Sequence, residues 1–520
     1  MKKYISIILI LLLSVLIYGC NNHIEIPNGV TPVKEFTVSK YLDNNAIFKA
    51  NSNFSLSGTS EKDVVIICTI KSSKDNIVNQ SYAYTDEFGN WELTMEAPKS
   101  SNKEYVIEVK DSTNKYVKTY SNIRFGESWL IIGDDIKGEI LNEPENLFTE
   151  KFINNDNFMV YQSEKWHQLT DCGNDFAKYL ILQLANEQTG LNSHPVSVVI
   201  ATSEEATNAY QWIERDSIDS HLPLKNFLQN QSLYKDKNQV LTKNDMSYYA
   251  ETYLKNINDL EFNNIIWNQG IKDFLDYNEN SLYSFDTIYR DLLFNVMLQF
   301  EQYFESSERF YVLQESSNFI SQSNILRNVQ NNICNYYSQC QIIPTYDLCI
   351  VKDVISNKVV EHSDIDNNHL ENYLVAGIEY DKLVDRILQN SFDDRIIPVL
   401  QNIVKSLDED KNIINLRLIF NSSVEFTPIK DNRISGLSIL DEDSNIIDAA
   451  IEIIDNEIII DLSVEKEIID GYNDLGEPIY KTIVEYLKPK YILYAQEEFI
   501  YNNNLFVEGI PVVPFSIVLK

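Results

Sequence analysis

The stretch Phe125–Glu139, FGESWLIIGDDIKGE, decides the fold class of this 520-residue chain. Its central run from Trp129 to Ile132 is continuously apolar, as expected of a strand that is buried on both faces of a sheet. Gly133 and two aspartates follow directly, so the strand ends in a tight acidic turn. Open α/β sheets hold their sites beyond the carboxyl ends of parallel strands. Asp134 and Asp135 are therefore the first candidate site residues.

The chain downstream of this strand alternates between strands and helices. NDFAKYLILQLANEQTG predicts a helix, PVSVVIA and NNIIWNQG predict strands, and SFDTIYRDLLFNVMLQFEQYF predicts a long amphipathic helix. One face of that helix carries apolar side chains, namely Phe285, Ile288, Leu292, Val296 and Phe300. Such alternation predicts a mainly parallel sheet with helices on both sides, a three-layer α/β/α domain over residues 126–410.

Segments with a strand pattern flank this α/β region. Residues 36–125 contain FSLSG, DVVIICTIK, NWELTME and EYVIEVK, separated by turn residues, and this pattern predicts an N-terminal β-sandwich. Residues 411–520 contain NLRLIF, SGLSIL, EIIIDL, KTIVEYL and YILYAQ, which predict a C-terminal β-rich domain. The predicted architecture is thus an α/β domain between two β regions.

The first residues resemble a bacterial lipoprotein signal. Lys2 and Lys3 precede an apolar run, and a small-residue cleavage site ends in Cys20. The run is shorter than the roughly 20 residues that span a bilayer. We therefore expect a signal peptide over residues 1–20, a tether over 21–35, and an exported chain held to a bacterial membrane by lipid on Cys20. Ordinary secretory cleavage is the alternative.

The net charge and the cysteine spacing of the chain argue against some classes of partner and cofactor. The formal net charge of -34 disfavours nucleic acid, because counterion release needs clustered Lys and Arg. The cysteines after Cys20 match no zinc spacing, and we expect no cofactor. Cys334 and Cys340 leave two alternatives, a disulfide across a short loop or free buried thiols.

Several blocks of sequence, in order and with similar spacing, resemble the sialate O-acetylesterase family, a branch of the SGNH hydrolases that removes acetyl groups from sugar hydroxyls. FGESWLIIG resembles the family's Gly-Glu-Val-Trp-Leu strand, and NNIIWNQG resembles its Trp-Tyr-Gln-Gly-Glu-Ser-Asn block. HPVSVVIATSEEATNAYQW resembles the block with Gly-Gly-Thr and a later Trp, here Thr207 and Trp212, and NNLFVEGIPVVPF resembles the closing segment. The resemblance covers nearly the whole mature chain and implies an SGNH-type α/β domain.

The resemblance also implies which residues occupy the catalytic positions. An acyl-transfer site of this type needs a hydroxyl nucleophile, a His base and oxyanion donors. Asp135 stands at the family's nucleophilic Ser and Asp273 at its oxyanion-donating Asn, while Glu205 and Ala206 replace two glycines before Thr207. The nucleophile and the oxyanion donors are therefore substituted.

The acid and base of the family correspond to Asp366 and His369 in DNNHLENYLVAG, with His362 as the competing alignment. The same blocks imply a set of binding residues, namely Asp134, Glu205, Thr207, Trp212 and Trp267.

Three functions follow from this pattern. We expect a catalytically impaired relative that retains binding of a glycan such as acetylated sialic acid. The alternatives are an active acetylesterase acting on O-acetylated sialic acids or other glycans, and a structural surface lipoprotein.

The acidic substitutions add a hypothesis about metal binding. If the fold holds, five carboxylates converge on one pocket and repel one another, and a hard cation such as calcium would relieve that repulsion. They are Asp134, Asp135, Glu205, Asp273 and Asp366. The alternative is that these side chains point to water.

Overall fold

The chain is described from a computed structural model. It describes residues 35–141, 155–187, 194–277, 284–304, 307–316, 323–334, 336–337, 339–360, 364–365, 369–392, 397–421, 425–426, 434–496, 505–507 and 510–519. The predicted signal peptide with Cys20 and nearly all of the tether lie outside this part of the chain. Within it, no helix combines the length and apolarity that a membrane crossing needs.

The N-terminal part consists of strands in two sheets. Its strands are β1 (Ile47–Lys49), β2 (Asn53–Thr59), β3 (Val65–Ser72), β4 (Ile77–Tyr84), β5 (Asn90–Glu96), β6 (Ser101–Asp111) and β7 (Val117–Asp134). β2 pairs with β5, while β3, β4, β6, β1 and the first half of β7 pair with one another as part of an 11-stranded sheet. Buried and exposed residues alternate along β5, so its Trp91, Leu93 and Met95 point into the core.

The second half of β7 pairs with a different set of strands, which follow it in the chain. The following strands are β8 (Gly138–Glu139), β9 (Phe158–Gln162), β10 (Lys165–Gln168), β11 (Val196–Ser203), β12 (Asn264–Asn268), β13 (Arg309–Leu313), β14 (Cys340–Ile343), β15 (Cys349–Asp353) and β16 (Tyr373–Glu379). Seven strands align in the order β10-β9-β11-β7-β12-β13-β14, and every neighbouring pair except β10–β9 is parallel. The predicted mainly parallel sheet is present.

Helices connect the parallel strands. They are α1 (Asp175–Glu187), α2 (Arg215–Ser220), α3 (Leu222–Asn230), α4 (Tyr248–Thr252), α5 (Ile271–Asp276), α6 (Phe285–Tyr303), α7 (Ser323–Ile333) and α8 (Tyr380–Phe392), with 3-10 turns at Ala209–Trp212, Leu254–Asn256 and Leu370–Asn372. α1 packs against α8, whereas α7 packs against α6 and α5, and α3 packs against α6. The two predicted helices are confirmed over Asp175–Glu187 and Phe285–Tyr303; residues 188–190 of the first prediction lie outside the described part of the chain.

The C-terminal part is built from strands alone among its described residues. They are β17 (Leu400–Leu407), β18 (Ile413–Phe420), β19 (Glu425–Phe426), β20 (Leu437–Leu440), β21 (Ala450–Ile454), β22 (Glu457–Asp461), β23 (Ser463–Tyr472), β24 (Pro478–Tyr486), β25 (Tyr491–Tyr494), β26 (Leu505–Val507), β27 (Ile510–Pro511) and β28 (Phe515–Val518). Leu416, Ile458, Ile492 and Phe515 belong to its core.

Strand pairing continues across both of the expected domain borders, 125/126 and 410/411. β7 runs through the first border, and one core of buried side chains contains residues from both sides of it. β17 and β18 form an antiparallel pair around the second. Cys334 and Cys340 form a disulfide, the first of the two alternatives, while Cys68, Cys172 and Cys349 are buried free thiols.

Candidate functional site

The site begins where three parallel strands end side by side. Gly133 of β7 lies opposite Thr202 of β11 and Asn268 of β12. Gly133 has a φ of +107°, and a Cβ at this position would lie 2.3 Å from the carbonyl oxygen of Asn268. Only glycine adopts this conformation and this close approach without strain. The local sequence therefore turns the chain sharply, so that Asp134 and Asp135 stand beyond the edge of the sheet.

Asp134 is buried, and Thr207 and Asn268 donate hydrogen bonds to it. The backbone N–H and the hydroxyl of Thr207 donate to its Oδ1 at 2.7 and 2.6 Å. The side-chain amide of Asn268 donates to its backbone oxygen at 3.0 Å. Burial raises the pKa of the Asp134 carboxyl to about 8, the Thr207 hydrogen bonds oppose this, and the carboxylates of Asp273 and Glu315 add to it.

Thr207 connects this carboxyl to the core of the domain. Its hydroxyl accepts a hydrogen bond from the indole N–H of Trp212 at 2.8 Å. Trp212 stacks on Tyr249 at 4.8 Å and meets Trp267 edge to face at 5.8 Å. Trp212 and Trp267 are fully buried. The resemblance implied that Trp212 and Trp267 are binding residues, but neither indole has exposed surface, so both lie in the core.

Asp273 is the second buried carboxyl. It lies on α5 and accepts hydrogen bonds from the backbone N–H of Ala209, at 2.9 Å, and from the side-chain amide of Gln269. That amide also donates to the backbone oxygen of Thr207 at 2.7 Å, so the surroundings of Asp134 and Asp273 are connected. Burial raises the pKa of Asp273 to about 7, against the effect of its hydrogen bonds. The resemblance placed an oxyanion donor here, and the ionised carboxylate is an acceptor.

Asp135 and Glu205 lie in different environments. The backbone N–H of Asp135 donates to the carbonyl of Ser203 at 2.9 Å, and its half-buried carboxylate accepts from the hydroxyl of Thr202. The side chain of Glu205 is 72% exposed, with the Lys243 ammonium at 3.4 Å. The expectation that Glu205 shares a pocket with the other carboxylates is therefore wrong, because its side chain lies at the surface and pairs with Lys243 there.

The candidate base is an exposed residue. The ring of His369 is 60% exposed, and its Nδ1 lies 3.3 Å from a carboxylate oxygen of Glu371. Asp366 and the competing His362 lie outside the described residues. Among the residues that the structure describes, no three His, Cys, Asp or Glu side chains gather in a group that could hold a metal ion. The described residues therefore provide no group of ligands that would support the calcium hypothesis.

A cleft with a volume of about 240 Å³ opens beside Asp273, and the sequence did not identify it. Twelve described residues line it: Asn208, Tyr210, Phe227, Gln231, Leu233, Asp273, Asp276, Tyr277, Phe285, Ile288, Tyr289 and Leu292. Five of them are aromatic. Phe285, Ile288 and Leu292 belong to the apolar face of α6 that the sequence pattern marked, and that pattern indicated burial without distinguishing core from cleft.

The polar residues of the cleft form a small network. The side-chain amide of Asn208 donates to Asp276 at 3.0 Å and to the Tyr210 hydroxyl at 3.1 Å. Asp276 also faces the Lys272 ammonium at 3.0 Å. Aromatic rings with a few fixed polar groups are typical of small-molecule sites. This cleft can therefore accept a ligand with both apolar faces and hydrogen-bonding groups.

Comparison with known proteins establishes the fold. No family model and no curated protein matches the chain. The crystal structure of a carbohydrate acetylesterase from Xanthomonas citri is similar over 93% of this chain and 99% of its own, with a TM-score of 0.63 and 14% sequence identity. An acetyl xylan esterase from the rumen bacterium Butyrivibrio proteoclasticus covers 69% of this chain and 98% of its own at 8% identity, with a TM-score of only 0.25. From the first of these similarities, the chain has a carbohydrate esterase-like fold.

Proposed function

We propose that this chain is an exported, lipid-anchored glycan-binding protein that descends from SGNH-type sialate O-acetylesterases and does not hydrolyse acetyl esters by their serine mechanism. One observation carries the proposal. At the position that the resemblance assigns to the nucleophile, the chain presents the carboxylate of Asp135, which accepts a hydrogen bond from the Thr202 hydroxyl.

The chemistry of acyl transfer opposes a carboxylate in this place. A carboxylate that attacked an acetyl ester would form an anhydride, and the hydrogen bond from Thr202 further weakens Asp135 as a nucleophile. Asp273 already accepts from Ala209 and Gln269 and, when ionised, repels an oxyanion. Loss of one oxyanion donor costs about 3 kcal/mol or more of barrier. The Nδ1 of His369 lies 3.3 Å from Glu371, and none of the described hydrogen bonds joins its ring to Asp135.

One observation favours residual esterase activity as a second candidate. The pKa of Asp273 is raised by burial to about 7. A neutral carboxyl can donate a hydrogen bond, so a protonated Asp273 could stabilise an oxyanion in part. This candidate still needs a hydroxyl nucleophile in place of Asp135, and for that reason we place it second.

The aromatic cleft supports the binding part of the proposal. Sugar rings present apolar C–H faces that pack on aromatic side chains and hydroxyls that bond to carboxylates and amides. Tyr277 and Phe285 meet edge to face at 5.6 Å, and Phe285 stacks on Tyr289 at 5.4 Å. Asn208 and Asp273 supply the polar groups beside these rings. Acetylated sialic acid, which the resemblance implies, stays one predicted ligand among the glycans to be tested.

Glycan binding should depend on Tyr277. We expect the mature chain to bind at least one ligand of a glycan panel, and Tyr277→Ala to weaken that binding about tenfold, the equivalent of about 1.4 kcal/mol, because a stacking surface is lost. Tyr82→Ala, which removes an exposed tyrosine from β4, is the matched control and should leave affinity unchanged. Titration calorimetry measures both. Absence of binding to every glycan, or equal affinity of the Tyr277 variant and the control, would reject the proposal.

A further inference from the structure

The charged side chains that line the cleft are all acidic among the described residues. Asp273 and Asp276 line it, and no Lys, Arg or His side chain does so within the described part of the chain. Asn208 and Gln231 are the neutral polar groups. The chain as a whole carries a formal charge of -34, so its field reinforces this local sign. The cleft therefore repels anionic ligands.

The two aspartates differ in whether a positively charged group lies beside the carboxylate. The carboxylate of Asp273 accepts hydrogen bonds from the backbone N–H of Ala209 and from the Gln269 amide, both of them neutral donors. The carboxylate of Asp276 accepts a hydrogen bond from the Asn208 amide and forms an ion pair with the Lys272 ammonium, whose nitrogen lies 3.0 Å from its oxygen. Neutral donors stabilise a carboxylate by hydrogen bonding but do not cancel its charge. Asp273 in particular gains from a positively charged group of a ligand.

The aromatic rings favour the same sign of charge. The face of an aromatic ring carries a negative quadrupole, which attracts an ammonium group within about 6 Å of the ring centre. Tyr210, Phe227, Tyr277, Phe285 and Tyr289 all line the cleft. Rings and carboxylates together form an environment that stabilises a cation and that still offers apolar surface to the rest of a ligand.

From these charges and rings we infer that the cleft binds a sugar that carries a free ammonium group, and that it excludes sugars with a free carboxylate. The inference rests on the proposed glycan-binding function and specifies its ligand. It also departs from the resemblance, because sialic acid carries a carboxylate that Asp273 and Asp276 would oppose. An ammonium group beside Asp273 would form a charge-assisted hydrogen bond with that carboxylate.

Three probes test the inference by titration calorimetry of the mature chain at pH 7, where an ammonium group bound beside Asp273 lowers the pKa of that carboxyl and so favours its ionised form. The probes are a glucosamine trisaccharide with free amines, the same trisaccharide fully N-acetylated, and a sialylated trisaccharide. We expect the free-amine ligand to bind at least about tenfold more tightly than the N-acetylated ligand, and the sialylated ligand to bind most weakly. Asp273→Asn combined with Asp276→Asn should weaken binding of the free-amine ligand about tenfold and that of the N-acetylated ligand by much less, because asparagine still hydrogen-bonds to hydroxyls but carries no charge. Asp216→Asn, which removes an exposed charge on α2 outside the cleft, is the matched control.

The outcomes separate this inference from the proposed function. If the N-acetylated or sialylated ligand binds as tightly as the free-amine ligand, and Tyr277→Ala weakens that binding, the ligand class is wrong and glycan binding at the cleft stands. Equal loss of affinity for charged and N-acetylated ligands in the double variant, with an unchanged melting temperature, also overturns the ligand class. If no probe and no member of the wider glycan panel binds, the proposed function fails and this inference fails with it.

Discussion

Replacement of Gly133 by alanine is expected to lower the free energy of unfolding by about 4 kcal/mol. The φ of +107° at this residue is strained for any residue with a Cβ, and the new Cβ would lie 2.3 Å from the carbonyl oxygen of Asn268. Strain at such an angle costs about 1 to 3 kcal/mol, and overpacking against fixed neighbours costs a similar amount. Because the obstructing atom belongs to the backbone of β12, it cannot rotate away.

Urea denaturation followed by circular dichroism measures this loss. Gly173→Ala is the matched control, since a Cβ at Gly173 meets no atom within 4 Å and its φ is not in the left-handed region. The control should change stability by less than about 1 kcal/mol. If Gly133→Ala is no more destabilising than Gly173→Ala, the described geometry of the turn after β7 is wrong.

The stability of the wild-type chain should fall relative to that of Asp134→Asn as pH rises from 5 to 8. Burial raises the pKa of Asp134 from 3.8 to about 8, so the folded state holds this proton across a range in which the unfolded state has released it. Since the folded state binds more protons there, its stability decreases with rising pH. Each unit of pKa corresponds to about 1.4 kcal/mol, which gives a relative loss on the order of 3 kcal/mol.

Asparagine at position 134 isolates this effect. Its carbonyl oxygen can accept both hydrogen bonds from Thr207 but cannot ionise. We expect the two proteins to have similar melting temperatures at pH 5 and the variant to be more stable at pH 8. Asp86→Asn is the control and should show no such change between pH 5 and 8, because hydrogen bonds from Asn90 lower the pKa of that exposed carboxyl, which is ionised in both the folded and the unfolded chain over this range. A difference between wild type and Asp134→Asn that stays constant with pH would contradict the assigned environment.

The parts of the fold that depend on local pattern could be predicted from the sequence. The apolar run Trp129–Ile132 followed by Gly133 specified a buried strand and its turn, and the periodicity of residues 285–300 specified α6. Such signals are strong because a residue's neighbours in sequence determine the alternation of buried and exposed faces. The two halves of β7 pair with different strands, the first with β1 and β6 and the second with β11 and β12. This could not be predicted in the same way, since it depends on which strands meet in space.

The candidate site was predictable only in part. Thr207 and Asp134 were identified through separate blocks, and the structure joins them by two hydrogen bonds. Glu205 and the two tryptophans were chosen from the sequence blocks alone, but the direction of a side chain depends on tertiary packing. The cleft combines α3, α5, α6 and the turn at Ala209–Trp212, and no single segment signals it. Its aromatic residues have the same sequence pattern as a core.

Acetate release tests the central claim, that the chain binds glycans but lacks the serine mechanism, most directly. The mature chain is incubated with O-acetylated sialic acid and with acetylated xylan, beside the His369→Ala variant and a buffer control. We predict acetate release at the buffer rate for both proteins, because the position that the resemblance assigns to the nucleophile holds the carboxylate of Asp135 and no hydroxyl. Release well above the buffer rate that His369→Ala abolishes would contradict the account.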